Sequence, residues 1–191
     1  MAALGSATPK PENVYIVPTA FLSCLKSISK TLEGSGVKWS VIGDTAENIH
    51  GVNARPERLE LLVDEHGIEQ FSSRMAEYGI STFDPVEKKL ERTASVDGKE
   101  FPVYVRSLFA RVMLDGVEVN AHSDYRIKVG EWEWGDRLEF EPVEMNLVGE
   151  LVPIMPVRIA SEIYLMLGWT DRANKISDAV HRAHHRLDFG F

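Results

Sequence analysis

Three short stretches of this chain put glycine, carboxylates and cations where phosphate and metal chemistry can be built. Gly43-Asp44-Thr45 follows the apolar Val41-Ile42 and precedes Ala46-Glu47-Asn48-Ile49-His50. A backbone free to turn tightly therefore stands at the start of a short helix, the kind of place where peptide N–H groups meet an anion. Arg58 and Glu60 sit two apart in Arg58-Leu59-Glu60-Leu61-Leu62-Val63, and Glu118 and Asn120 sit two apart in Gly116-Val117-Glu118-Val119-Asn120. Residues two apart share one face of a strand, so each pair projects together. Carboxylates converging from neighbouring strands can hold divalent cations. Other clusters carry less. His181 and His185 lie four apart with His184 beside them, but no third ligand follows from the spacing, and a solvated histidine face accounts for them. Arg172, Lys175, Arg182 and Arg186 mix with Asp171, Asp178 and Asp188, as on an exposed helix laced with ion pairs. Cys24 is a core or half-buried thiol with no histidine near it in sequence.

Those side chains need elements to hold them. Phe21, Leu25, Ile28 and Leu32 recur at helical steps and stop at Gly34-Ser35-Gly36. Lys38–Ile42 reads as a strand, then a tight turn at Gly43 and a short helix ended by Gly51. Arg58–Val63 alternates at first and becomes wholly apolar, as does a strand entering a sheet covered on both faces. Ile68, Phe71, Met75 and Tyr78 predict a helix over His66–Tyr78, stopped by Gly79. Asp97-Gly98 and Asp115-Gly116 each sit between strand-like pairs, Thr93–Val96 with Phe101–Arg106 and Arg111–Leu114 with Val117–His122, and predict antiparallel hairpins. Glu131–Glu150 holds seven acidic residues and one basic one, a solvated face in which Leu138, Phe140, Val143 and Met145 suggest edge strands. After Pro156, a helix carrying Ile159, Ile163, Met166 and Leu167 is followed beyond Gly168 by a second, Asp171–Leu187.

The whole is an α/β chain with a small mixed sheet flanked by helices and a closing helical pair. Its expected divisions are a leader at 1–16, a core at 17–155 and a helical segment at 156–191. The 191 residues, 44% hydrophobic and 26% charged, suffice for one real core. With 29 acidic residues against 21 basic, the net charge of −8 repels phosphate backbones and anionic lipid, which excludes general nucleic-acid binding and a membrane surface. A single cysteine excludes an internal disulfide and fits a reducing cytoplasm. The start lacks the apolar core of a signal peptide, and no run of the length that crosses a membrane is free of charge. Internal repeats, a Walker loop, a dinucleotide fingerprint and a serine elbow are absent from the sequence.

The run Val41–Val52 followed by Arg58–Asp64 resembles the nucleotidyltransferase superfamily in its minimal, polymerase-β-like branch. There an apolar strand leads to Gly-Gly or Gly-Ser, a short helix ends at His-Gly, and Asp-x-Asp follows on a strand. Gly116–Asn120 is similar to the strand that brings a third carboxylate, and Val152–Pro156 with Arg172–Asp178 is similar to the closing segment. The resemblance implies a triphosphate held at Gly43, Asp44 and Thr45, with Arg58 and Arg172 nearby, and two metal ions, Mg2+ or Mn2+, held by carboxylates that activate the attacking oxygen. The chain departs from the pattern at the charged positions. Asp44 stands at the second Gly or Ser, Arg58 at the first carboxylate and Glu60 at the second. The third is Glu118 or, if the register slips by two, Asn120. In the closing segment Asn174-Lys175 replaces Lys-Asp, and Arg55 lies one place from a frequent arginine. The resulting expectation is a degenerate site in a protein that binds a nucleotide without metal, a protein partner or its own copy. The alternative is an active transferase moving a nucleotidyl group to a protein, RNA or small-molecule hydroxyl, with Glu60 and Glu118 as catalytic metal ligands.

Overall fold

The apolar faces traced above close on one another in a computed structural model that describes residues 17–147 and 149–188. The expected leader at 1–16 lies outside the described residues, as do the side chains of His184 and His185. Helix α1, Thr19–Leu32, buries Phe21, Cys24, Leu25, Ile28 and Leu32, the stripe its periodicity marks. Strand β1, Trp39–Ile42, leads directly into α2, Gly43–Ile49, and β2, Leu59–Val63, follows. Helix α3, Gly67–Arg74, is shorter than expected. It tightens after Met75 into a 3-10 turn, Ala76–Tyr78, closed by Gly79.

Strand β3, Ser81–Lys89, has no counterpart in the sequence reading. It contains Pro85 and its described side chains are exposed, and an edge strand can accept both, because one row of its backbone groups needs no partner. Strands β4, Ala94–Val96, and β5, Lys99–Phe101, form a separate ribbon around Asp97-Gly98. The expected partner Phe101–Arg106 is thus divided, because Pro102 offers no N–H to the ladder. Beyond it run β6, Val103–Leu114, and β7, Val117–Val129, joined at Asp115-Gly116. Both hairpins have the positive φ at Asp97 and Asp115 that their turn type demands. Within the acidic stretch β8, Val143–Leu147, is a strand; Leu138 and Phe140 lie outside the sheet, with the Leu138 N–H donating to the Tyr125 carbonyl. Strand β9, Glu150–Ile154, precedes α4, Val157–Met166, and α5, Thr170–Asp188.

The main sheet has the order β3-β6-β7-β2-β1-β9-β8 and is mixed: β2 runs parallel to β7 and β1 parallel to β9, while the other pairs are antiparallel. Odd positions of β2 and β7, among them Leu59, Leu61, Val119 and Ala121, join α1 and α3 in the principal core. Even positions turn to the other face. There Leu62 is covered by Phe140 and Met155, with Ile159 of α4 alongside, whereas Glu60 and His122 are left lining an open cleft. The two C-terminal helices are fixed to the rest at their junction. Gly168 runs so close to the β4–β5 ribbon that a Cβ would stand 2.4 Å from the Ser95 carbonyl oxygen, and the Trp169 indole donates to the Thr93 carbonyl at 2.6 Å.

Candidate functional site

Parallel pairing of β2 with β7 sets Glu60 directly opposite Asn120, with Leu62 opposite His122. Alternation then puts Glu60, Glu118, Asn120 and His122 on one face. At Asp124 the pattern changes phase. Its φ of +47°, beside a register shift between Arg106 and Leu108 of β6, inserts an extra residue. In consequence His122 before the irregularity, and Tyr125 and Ile127 after it, all line the cleft.

Glu60 is held on both oxygens. Arg58 Nε donates to Oε1 at 2.5 Å, His122 Nε2 lies 2.8 Å from Oε2, and Asn120 Nδ2 reaches Oε1 at 3.4 Å. Burial opposes the charge on Glu60, but the hydrogen bonds and positive charge of His122, then of Arg58, outweigh it and hold the carboxyl down to about 2. The same bond to Glu60 raises Arg58 further above its ordinary range. Asn120 Nδ2 also lies 3.2 Å from Glu118 Oε1, so an amide donor stands between the two carboxylates, and Arg111 Nε lies 3.7 Å from Glu118. Among the described residues no three His, Cys, Asp or Glu side chains gather as a metal site.

The second charged group sits where α2 meets α5. Arg172 donates from Nε to Glu47 Oε1 at 2.6 Å and from Nη2 to Asp44 Oδ1 at 2.5 Å, with its guanidinium over the Tyr164 ring at 4.8 Å. The Tyr164 hydroxyl also donates to Glu47, whose side chain is only 6% exposed. Burial opposes the charge of Arg172, but the Tyr164 and Glu47 groups around it raise its pKa all the same. Burial, reinforced by Glu47, pushes the Tyr164 hydroxyl up.

These elements bring Gly43, Asp44, Arg58, Glu60 and Arg172 around one cavity of about 400 Å³. Gly43 has a φ of +65°, and a Cβ there would stand 3.8 Å from the Glu60 side chain. Thr45 does not reach the cavity: it is buried, its hydroxyl 3.5 Å from the Arg58 carbonyl oxygen. Glu118 does not line that cavity and is linked to the group through the Asn120 amide. A second cavity of about 620 Å³ extends the cleft towards Trp169, with Arg92 over that ring at 5.2 Å. A volume of that order suits a small ligand. Sequence reasoning missed Glu47, Tyr164 and His122. The signal for His122 was its place two beyond Asn120 on the same strand face; Glu47 gave none, since the burial of its neighbours Thr45, Ala46 and Asn48 comes only with the fold. Cys24 is fully buried, and burial followed by the Asp115 charge pushes its thiol up to about 12, as suits a core thiol. His181 is exposed.

No family model matches the chain, and no curated protein matches it. Solved structures do. A candidate nucleotidyltransferase from Thermotoga maritima superposes with a TM-score of 0.63 at 19% identity, over 87% of this chain and 96% of that one. An antigenic nucleotidyltransferase-like protein from Paracoccidioides brasiliensis gives a TM-score of 0.44 at 14% identity, over 86% and 75%. The antibiotic-resistance factor ANT(2'')-Ia gives 0.47 at 7% identity, over 90% and 95%. The first of these likenesses shows the fold, which is that of a nucleotidyltransferase. No helix among the described residues is long and apolar enough to cross a membrane.

Proposed function

We propose that this nucleotidyltransferase-fold chain works by binding rather than by nucleotidyl transfer, and that its cleft takes a nucleotide without a divalent metal. The observation that carries the reading is the state of Glu60. A carboxylate that ligates Mg2+ or Mn2+ must offer free oxygen lone pairs, and in two-metal sites several such groups converge. Here Arg58 and His122 occupy both Glu60 oxygens, and the Asn120 amide separates it from Glu118. The donor set does not fit a pair of divalent ions, and Arg58 itself supplies positive charge beside Glu60. Arg58, Arg92 and Arg172 line the cleft and suit a phosphate-bearing ligand, with Tyr164 and Trp169 as apolar walls.

Calorimetric titration with ATP, once in excess chelator and once with Mn2+, tests this. The expected result is the same binding heat in both. Binding that requires Mn2+ and disappears in Glu60→Ala overturns the reading in favour of the active transferase, with Glu60 and Glu118 as metal ligands. Absence of any ATP heat overturns the nucleotide as ligand.

A further inference from the structure

His122 does more than hold Glu60. Its other ring nitrogen, Nδ1, lies 2.9 Å from the Ser107 hydroxyl oxygen, while Nε2 lies 2.8 Å from Glu60 Oε2. An ionised Glu60 carries no proton, so Nε2 must supply the one in that bond. In a neutral imidazole this leaves Nδ1 as the acceptor for the Ser107 O–H. A hydroxyl, an imidazole accepting from it and a carboxylate orienting the imidazole form the arrangement by which a weak oxygen nucleophile is activated, whatever fold carries it.

Two further features set Ser107 apart from an ordinary strand serine. It falls within the register shift of β6 against β7 and borders that of β3 against β6, where its partner is Val86. Irregularities of this kind recur beside reactive groups because they re-aim side chains. Ser107 is 5% exposed yet lines a cavity of about 320 Å³ shared with His122, Glu60, Phe83, Val86 and Phe109. Phe83 and Val86 are large apolar side chains left exposed at this cavity. Arg58 and Lys88 also line it, and Lys88 makes no ion pair among the described residues.

We propose that Ser107, His122 and Glu60 form a nucleophilic centre that accepts a small apolar acyl group from an ester. In the first step the Ser107 oxygen bonds to the acyl carbon, its proton passes to His122 Nδ1, and the ester C–O bond breaks with the proton returned to the departing alcohol. Water, deprotonated by the same nitrogen, then attacks the acyl-serine and releases the acid and free Ser107. Arg58 and Lys88 supply the positive charge that an oxyanion requires. Ser107 and His122 are the catalytic residues and Glu60 a positioning residue. The proposal depends on Glu60 being bound to His122 and not on whether a nucleotide occupies the cleft, so the ATP titration and the test below fail independently.

The test uses the full chain with an alkyl fluorophosphonate, which serine nucleophiles attack at phosphorus with loss of fluoride, and with p-nitrophenyl butyrate. Intact mass should show a single phosphonyl adduct, tandem mass spectrometry of the wild-type chain should map it to Ser107, and the butyrate ester should release nitrophenolate. Ser107→Ala should take no adduct, and His122→Asn should label about 100-fold more slowly, the usual contribution of a positioned base. Circular dichroism confirms that both variants fold, and mapping on the wild type makes the result independent of them. No adduct on the wild type, an adduct mapped elsewhere, or wild-type labelling by His122→Asn overturns the proposal.

Discussion

The two charged groups of the cleft have opposite stoichiometry. At the start of α2 one cation, Arg172, serves two carboxylates, Asp44 and Glu47; on the sheet face one carboxylate, Glu60, is served by Arg58 and His122. A metal–triphosphate site needs the reverse, with positive charge where phosphates lie and free carboxylates where metals lie. The two groups also differ in burial. Glu47 is enclosed, so its charge must be matched in place, while Glu60 borders an open cavity that a ligand can enter. One group therefore joins elements together, and the other lines open space.

Removing Arg172 tests the first half of that contrast and should have the largest effect. Arg172→Ala leaves Glu47 buried with only the Tyr164 hydroxyl as partner and parts α5 from α2. An uncompensated buried carboxylate is expected to cost about 3 kcal/mol of stability, read as a lowered urea midpoint at unchanged m-value. A loss no greater than that of an exposed pair, below about 1 kcal/mol, would show that Glu47 finds water and that α2 is not tied down there.

Acid should expose the second half. The folded state holds Glu60 at about 2 against an ordinary 4.5, so the ionised, doubly bonded form stabilises the fold fully above about 4.5. That contribution fades as pH falls from there through about 2, because the folded protein binds the proton less readily than the unfolded chain. Thermal unfolding followed between these limits should show a fall in the wild type that is smaller in Glu60→Gln. Equal slopes in both proteins would mean that Arg58 and His122 do not hold Glu60 in solution.

Legibility in the sequence follows the same division. The scaffold was readable because its signals are local: the α1 stripe, the Asp-Gly hairpins and the apolar run of β2 each declare themselves within a few residues. Strand β3 was not, since an edge strand with Pro85 and exposed charges lacks the apolar alternation of an inner strand. The charged departures at Asp44 and Arg58 were visible as residue types, but their partners were not. Arg172 lies far along the chain from Asp44 and Glu47, and only the packing of α5 against α2 brings them together. His122 needed the parallel register of β2 on β7, which no turn between adjacent strands fixes. The phase change at Asp124, which turns Tyr125 and Ile127 into the cleft, rests on a backbone irregularity without a distinctive residue pattern.

Gly43 gives the finest distinction, between a turn and a ligand cradle. Its φ of +65° is the left-handed region, where a side chain meets its own backbone, while a Cβ would stand at an ordinary 3.8 Å from Glu60. Gly43→Ala is therefore expected to cost about 1 kcal/mol through backbone strain alone, without crowding the cleft. Urea unfolding measures that cost, and the ATP titration repeated on the same variant measures the rest. If Gly43 only turns the chain from β1 into α2, the ATP affinity stays unchanged while stability falls. If the peptide at Gly43 itself approaches the ligand, the added methyl group weakens ATP binding by more than the stability change explains. That outcome would place the ligand's phosphates at α2 despite Asp44, next to the Arg172 that lines the cleft.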